Sequence, residues 1–225
     1  MKLENKNVVI TGGSKGLGLA MALNLSKEKA NVLVCAKNTE ELKGLPEGIF
    51  GVQADVTKEE DVQNLMRKAK DKLGNVDIWI NNAGIWTPHV PIEETDWHKR
   101  AHDLMEVNFF GTVFGSKAAM IEMKKKKSGM IVNIISTSAL EGRNNSSAYS
   151  SSKFAAMGFT KALQKELEGT GVTALAIYPG GMKTNLFDEG KPDNFSEYMD
   201  PIDVAKKIID NMKEDNPKEE LIIRR

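Results

Sequence analysis

The chain has 225 residues, and 31 Lys plus Arg are balanced by 31 Asp plus Glu. That length suits one α/β domain rather than two, and the even charge gives no footprint for nucleic acid or an anionic membrane. Cys35 is the only cysteine, so no internal disulfide is possible and a reducing, cytoplasmic setting is expected. Cys35 reads as a small core residue rather than a nucleophile. The N-terminus lacks the apolar core of a signal peptide, and no segment is long enough to span a bilayer.

In chain order, the apolar run Asn7 to Thr11 reads as a buried parallel strand. Gly12-Gly-Ser-Lys-Gly16-Leu-Gly18 follows it. Leu17, Ala20, Met21 and Leu25 then repeat at helical spacing, which predicts a helix from near Gly16. Strand, glycine turn and helix bring free backbone N–H groups and a positive helix end to one spot, where a pyrophosphate fits. Glycine allows the tight turn and the close approach. The bland alternative is an ordinary glycine-rich turn. Its place directly after the first strand favours the phosphate loop.

Asn31 to Ala36 reads as strand two and Gly48 to Gln53 as strand three. Thr57-Lys-Glu-Glu60 has the form of a capping box, with Val62, Leu65, Met66, Ala69 and Leu73 as the apolar stripe behind it. Val76 to Ile80 is strand four. Trp97, Ala101, Leu104 and Met105 mark a long helix, which the lysines 124–127 close as a solvated, cationic end. Met130 to Ile135 is strand five, and a helix starts near Ser147. Val172 to Tyr178 is strand six. Asp200-Pro201 opens a last helix with a capping side chain and proline in the first turn. Leu221 to Ile223 is a short final strand. The alternation predicts a parallel sheet with helices on both faces. The stretch 184–200 lacks periodicity, and a long polar loop inside a compact domain is often a lid.

Tyr149-Ser-Ser-Ser-Lys153 is the chemically sharpest segment. Four residues apart on a helix, the phenol and the ammonium share one face. A fixed ammonium is expected to lower the phenol's pKa from about 10, which makes it a proton donor or acceptor near neutral pH. A chance Tyr/Lys pair on a solvated face is the alternative. Asn108 lies eleven residues after Trp97, about three helical turns, and so on the same apolar stripe. A buried asparagine needs partners, at a cost of about 1–3 kcal/mol if it has none. His98 and His102 stand one turn apart, but no third ligand has matching spacing, so no metal is expected.

Strand two ends Cys35-Ala36-Lys37-Asn38, without the acid that would take a ribose 2′-OH. Lys37 there and Lys15 in the glycine loop can flank a 2′-phosphate, with no carboxylate expected to repel it. The alternative is two solvated surface lysines.

Together these segments resemble the short-chain dehydrogenase/reductase family, from about Lys6 to the end. The resemblance rests on Thr11-Gly12-xxx-Gly16-x-Gly18, Asn81-Asn-Ala-Gly84, Asn108, Ser136 with Tyr149 and Lys153, and Pro179-Gly180 followed by Thr184. It implies a single-domain, Rossmann-type doubly wound sheet of about seven parallel strands. It implies catalytic roles for Asn108, Ser136, Tyr149 and Lys153: Tyr149 protonating a developing alkoxide, Ser136 bonding the carbonyl oxygen, Lys153 tuning the phenol and holding the ribose, and Asn108 bending its helix and holding a relay water. Cofactor contacts are implied for Gly12, Ser14, Lys15, Gly16, Leu17, Gly18, Lys37, Asn38, Asp55, Val56, Asn82, Ala83, Gly84, Pro179, Gly180, Met182 and Thr184, besides Tyr149 and Lys153. Asp55 is expected to accept from the adenine amino group.

The implied reaction is NADPH-dependent reduction of a small ketone or aldehyde. An NAD-dependent alcohol dehydrogenase is the alternative within enzymes, and a non-catalytic nucleotide sensor or scaffold the alternative outside them. Trp86, Leu140, Met182, Phe187 and Tyr198 are expected around a partly apolar substrate, with Glu141 and Arg143 as polar additions. The helices from Trp97 and through Tyr149, which carry Phe109, Phe114, Phe154 and Phe159, are expected to pair in a homodimer or homotetramer.

Overall fold

The structure is a computed structural model that describes residues 1–225. Seven strands form one parallel sheet: β1 (Asn7–Thr11), β2 (Asn31–Ala36), β3 (Ile49–Gln53), β4 (Ile78–Asn81), β5 (Gly129–Ile134), β6 (Val172–Pro179) and β7 (Glu220–Ile223). Their order in the sheet is 3-2-1-4-5-6-7. Five helices connect them: α1 (Gly16–Lys27), α2 (Glu59–Leu73), α3 (a continuous helix over 97–126), α4 (Ser147–Leu167) and α5 (Pro201–Lys213). The expected single α/β domain is what forms, and most element ends fall within two residues of the sequence reading, the usual scatter of such boundaries.

Alternation along the strands builds two cores, because successive side chains leave opposite faces. Val8 and Ile10 of β1 join Leu17, Met21 and Leu25 of α1 and Val204 and Ile208 of α5 on one face. Val9, with Trp79 of β4 and Ile131 of β5, joins Val62 and Leu65 of α2, Ala119 and Met123 of α3 and Leu163 of α4 on the other. Cys35 is fully buried in that second core, and burial pushes its thiol up to about 12. It is a packing residue.

Two local expectations are corrected. Thr57 does not cap α2. The helix starts at Glu59 without a side-chain cap, while Thr57 Oγ1 donates to Asp55 Oδ1 at 2.8 Å. The short link between β3 and α2 leaves Thr57 one residue early, and it orients Asp55 instead. The long helix also does not keep a 3.6-residue period. Trp97–Ala101 and Glu106–Phe110 are π turns, alternating with the α segments His102–Met105 and Gly111–Lys126. The extra residues break the assumed stripe: Asn108 is 1% exposed, Trp97 42%. Asn108 is buried because a π turn carries it inward, not because it lies beneath Trp97. Such turns recur at functional sites.

A polar chain crosses the second core. Trp79 Nε1 donates to Asn81 Oδ1 at 2.7 Å, and Asn81 Nδ2 donates to Ser116 Oγ at 3.0 Å and Asn133 Oδ1 at 2.8 Å. Asn133 Nδ2 passes it on to Thr160 Oγ1 at 2.9 Å. It ties β4, β5, α3 and α4 together with every buried amide satisfied. Gly115 makes room for it: a β-carbon there would overlap Asn81 Oδ1 and lie 2.6 Å from Trp79 Nε1. Gly115→Ala therefore destabilises by about 1–3 kcal/mol through overpacking, although alanine is the better helix former by about 1 kcal/mol. Urea denaturation measures it, and an unchanged or raised midpoint would contradict the account.

Candidate active site

The strand order reverses between β1 and β4, where crossovers leave to opposite faces, and a crevice opens beyond the strand ends at such a point. Here a cleft of about 560 Å³ runs from the glycine loop past the ends of β4 and β5 to the segment 184–200. Most of the expected site residues line it.

At one end, Gly12 (φ 61°) and Gly16 (φ 55°) take the left-handed backbone that the turn needs. Gly18 sits where a β-carbon would be 2.6 Å from Asn82 Nδ2 and 2.9 Å from Gly13 Cα. Asn82 Nδ2 donates to Thr11 O and Gly12 O, both at 2.9 Å, while the Asn82 and Ala83 amides donate to Thr11 Oγ1 at 3.0 and 3.1 Å. No side chain caps α1, so its first-turn N–H groups remain open to a ligand. A flat, side-chain-free cradle at a positive helix end fits a pyrophosphate.

The adenosine side departs from expectation. Lys37 Nζ lies 2.8 Å from Asp55 Oδ2. Burial would raise the Asp55 carboxyl, but the bonds from Lys37 and Thr57 outweigh it and hold it below its usual value. Lys15 Nζ lies 3.0 Å from Glu41 Oε1, and Ser14 Oγ donates to Glu41 Oε2 at 2.7 Å. The Ser14 hydroxyl, then Lys15, holds the Glu41 carboxyl low. The expectation that no carboxylate stands near the two lysines is thus corrected. Glu41 lies in a short turn (Thr39–Leu42) that folds back over the loop, and spacing along the chain gives no sign of it. Asn38 Oδ1 caps that turn by accepting from the Glu40 amide at 3.0 Å, and its side chain does not line the cleft.

At the centre, Ser136, Tyr149 and Lys153 are 8%, 8% and 6% exposed. Ser136 follows β5, and its Oγ accepts from the Ser138 amide at 3.0 Å, which leaves its own proton free. Tyr149 and Lys153 lie on the first turns of α4, with Lys153 Nζ 5.8 Å from the phenol ring centroid. Burial pushes the Tyr149 hydroxyl up to about 12, against the Ser136 side chain, which lowers it. Burial likewise pulls Lys153 down to about 8. The expected lowering of the phenol is therefore corrected: desolvation dominates both groups, since each charged form loses its water.

Asn108 holds the neighbouring loop. Its Oδ1 accepts from the Ile85 amide at 2.9 Å, and its Nδ2 donates to Ile85 O and Ser152 Oγ, both at 3.0 Å. Thr112 Oγ1 donates to the Asn108 carbonyl at 2.9 Å. A β-carbon on Gly84 would lie 3.2 Å from Asn108 Oδ1 and 3.6 Å from Lys153 Nζ, so the absent side chain keeps these two together.

At the far end, Trp86 meets Phe187 with ring centroids 4.9 Å apart, and Phe187 meets Tyr198 at 5.3 Å. Phe187 and Tyr198 belong to the expected lid. Lys183 N donates to Met199 O at 2.9 Å and Met199 N to Gly181 O at 3.0 Å, so both ends of this segment are pinned to each other. Pro179, Gly180, Met182, Thr184 and Arg143 line the cleft; Leu140 and Glu141 do not. Leu140 packs against the cluster that holds Ala139 and Tyr178, and Glu141 is paired with Arg224 at 3.6 Å. Arg143 Nη2 donates to Thr137 Oγ1 at 3.1 Å beside the serine. The sequence reading passed over His89, which also lines the cleft and whose imidazole is held below its usual range by burial and then Arg143. His98 is exposed, His102 lies 3.7 Å from Glu106, and no cluster of His, Cys, Asp and Glu is arranged to hold a metal.

The depressed Lys153 makes stability depend on pH. The folded chain releases this proton near pH 8, the unfolded chain near the ordinary 10.5. Between those values unfolding takes up a proton, so raising pH favours the folded state. Denaturation of wild type and Lys153→Met from pH 7 to 10 should show the difference in unfolding free energy moving toward wild type. A constant difference would mean that Lys153 titrates normally.

A family model described as short chain dehydrogenase matches residues 6–194. An uncharacterized oxidoreductase of Staphylococcus aureus is 33% identical over 213 residues, covering 92% of this chain and 90% of its own. The solved structure of ElxO with NADP bound is 33% identical, with a TM-score of 0.88 over 97% of each chain. A 3-ketoacyl-(acyl-carrier-protein) reductase from Brucella melitensis, complexed with NADH, superposes with a TM-score of 0.90 at 25% identity over 98% of this chain and 97% of that one. With the glycine loop, the Asn-Asn-Ala-Gly tip of β4 and the Ser/Tyr/Lys centre on one cleft, the chain belongs to the short-chain dehydrogenase/reductase family, an oxidoreductase by descent.

Proposed function

We propose that this protein reduces a small ketone or aldehyde, with NADPH as the reductant. The observation that carries the proposal is the burial of Ser136, Tyr149 and Lys153 side by side in a cleft whose other end is a phosphate-binding loop. The dinucleotide would lie with its pyrophosphate on Gly12, Gly16 and the α1 N-terminus, and Lys153 would hold the nicotinamide ribose. The chemistry such a cofactor supplies is a hydride. Ser136 donates a hydrogen bond from its free hydroxyl to the carbonyl oxygen and orients it. Tyr149 gives that oxygen its proton as negative charge develops. A phenol held near 12 stays protonated at neutral pH, which suits the reductive direction. Lys153, when charged, stabilises the phenolate left behind. Asn108 keeps the Ile85 loop and Ser152 in place beside it, and retains one Oδ1 lone pair for a relay water.

The aromatic group of Trp86, Phe187 and Tyr198 supports a partly apolar substrate, with Arg143 as a polar contact. The segment 184–200, pinned at both ends and bearing two of these rings, acts as the substrate lid. NADPH as the preferred cofactor is supported by Lys15 and Lys37 and by NADP-bound relatives such as ElxO. A relative complexed with NADH, together with the carboxylates beside both lysines, keeps NADH as the second reading. We place the enzyme in the cytoplasm; no helix is long and apolar enough to cross a membrane.

Tyr149→Phe tests the proton donor. NADPH binding, followed by fluorescence, should stay within about twofold, whereas turnover with a panel of ketones and aldehydes should drop by about 10²-fold or more. Turnover like wild type would overturn the role given to Tyr149. If wild type binds the cofactor but turns over no carbonyl compound, the sensor reading takes over.

The faces of α3 and α4 form the proposed homo-oligomer contact. Phe110, Ile121 and Phe154 are 38%, 46% and 40% exposed there, beside Phe109, Phe114 and Phe159, which stack through the same surface. Exposed aromatic groups of this kind mark association surfaces. Light scattering at micromolar concentration should give a dimer or tetramer, and Phe154→Glu should lower the mass. A wild-type monomer would count against the contact.

A further inference from the structure

The carboxylate of Glu41 occupies an unexpected place. It bridges Ser14 Oγ at 2.7 Å and Lys15 Nζ at 3.0 Å, two neighbours in the loop that cradles phosphate. It comes from the turn Thr39–Leu42 after β2, and its side chain is 33% exposed at the edge of the cleft. Beside it, Lys37 is matched by Asp55 at 2.8 Å. Two cations and two anions therefore cancel where an adenosine ribose would lie, and the lysines do not present net positive charge. A carboxylate that accepts from one hydroxyl and one ammonium occupies the donors that a phosphate would use.

Resting on the NADP(H) reading above, we propose that Glu41 is the anion a cofactor's 2′-phosphate must displace, and that it sets how far the protein prefers NADPH over NADH. A dianionic phosphate takes Ser14 and Lys15 only when Glu41 swings outward, so part of the attraction of the lysines is spent on breaking contacts already made. A free 2′-hydroxyl does the reverse: it is a donor, and Glu41 accepts from it without leaving Lys15. One residue therefore weakens the phosphorylated ligand and supports the unphosphorylated one.

The test uses ligands without a nicotinamide, so that it does not depend on turnover. Binding of 2′,5′-ADP and of 5′-ADP is measured by calorimetry for wild type, Glu41→Gln and Glu40→Gln, with NADPH and NADH alongside. Glu40 is the control for charge alone, because it pairs with Lys43 at 2.7 Å and lies outside the cleft. Glu41→Gln should tighten 2′,5′-ADP by about three- to tenfold, the worth of one partly exposed ion pair with a hydrogen bond. It should weaken 5′-ADP by no more than about twofold, because the glutamine Oε1 still accepts from the 2′-hydroxyl and only the charge is lost. Glu41→Asp, too short to bridge both partners, should move the ratio the same way by less. The proposal falls if Glu41→Gln leaves the ratio of the two affinities unchanged, if Glu40→Gln shifts it equally, or if Glu41→Gln weakens both ligands, which would make Glu41 a brace for the loop. The wild-type ratio tests the NADPH reading separately: equal affinity for the two ligands would sink that reading, while a ratio opened by Glu41→Gln would still uphold the role of Glu41.

Discussion

The tips of β1 and β4 are tied across the point where the sheet changes direction, and the whole site hangs on that tie. Thr11 Oγ1 accepts from two consecutive amides, Asn82 and Ala83, and the Asn82 side chain returns two bonds to the Thr11 and Gly12 carbonyls. Each bond contributes only about 0.5–1.5 kcal/mol net. Their common effect is geometric. They hold the glycine loop open at the mouth of the crevice and stop the two diverging chains from closing over it. Gly12 packs its bare Cα against Ala83, 2.8 Å from where a β-carbon would be, so the loop has no slack.

From that tie the centre follows by propagation. The chain runs on from Asn82 through Gly84, and Asn108 clamps the next residue, Ile85, through both its amide and its carbonyl. The π turn in α3 is what brings Asn108 down to meet it. Asn108 in turn reaches Ser152 on α4, one residue before Lys153. The crevice wall, the long helix and the helix of Tyr149 and Lys153 thus share one chain of bonds.

Burial sets the electrostatics at the centre. A lysine and a tyrosine on adjacent turns of an exposed helix would titrate near their ordinary values. Sunk into the protein, the ammonium is pulled to about 8 and the phenol pushed to about 12. Both shifts favour the neutral forms. The phenol keeps its proton, so the pair is not a preformed ion pair, and charge added to the cleft by a ligand acts on groups with little water to screen them. The adenosine side is the opposite case: its charges are paired, Lys15 with Glu41 and Lys37 with Asp55.

The sequence alone determined the parts whose signal is local. Period-two and 3.6-residue patterns marked the strands and helices; Gly12, Gly16 and Gly18 marked the loop because glycine takes the left-handed angles of the first two without steric cost and no side chain fits at Gly12 or Gly18; and Asp200 with Pro201 marked a helix start, where Asp200 Oδ1 accepts from the Ile202 amide at 2.7 Å. Ser136, Tyr149 and Lys153 were legible because their spacing and order form a known pattern. What only the tertiary structure decided is what depends on groups far apart in the chain. The π turns that bury Asn108 arise from packing, not from propensity. Thr57 turns to Asp55 because α2 begins one residue later than a cap at Thr57 would need. The direction of the Tyr149 shift follows from how deeply α4 is buried, which spacing on one helix does not contain. Glu41, twenty-six residues from Lys15, meets it only because the turn after β2 folds back, and no periodicity in the chain encodes that approach.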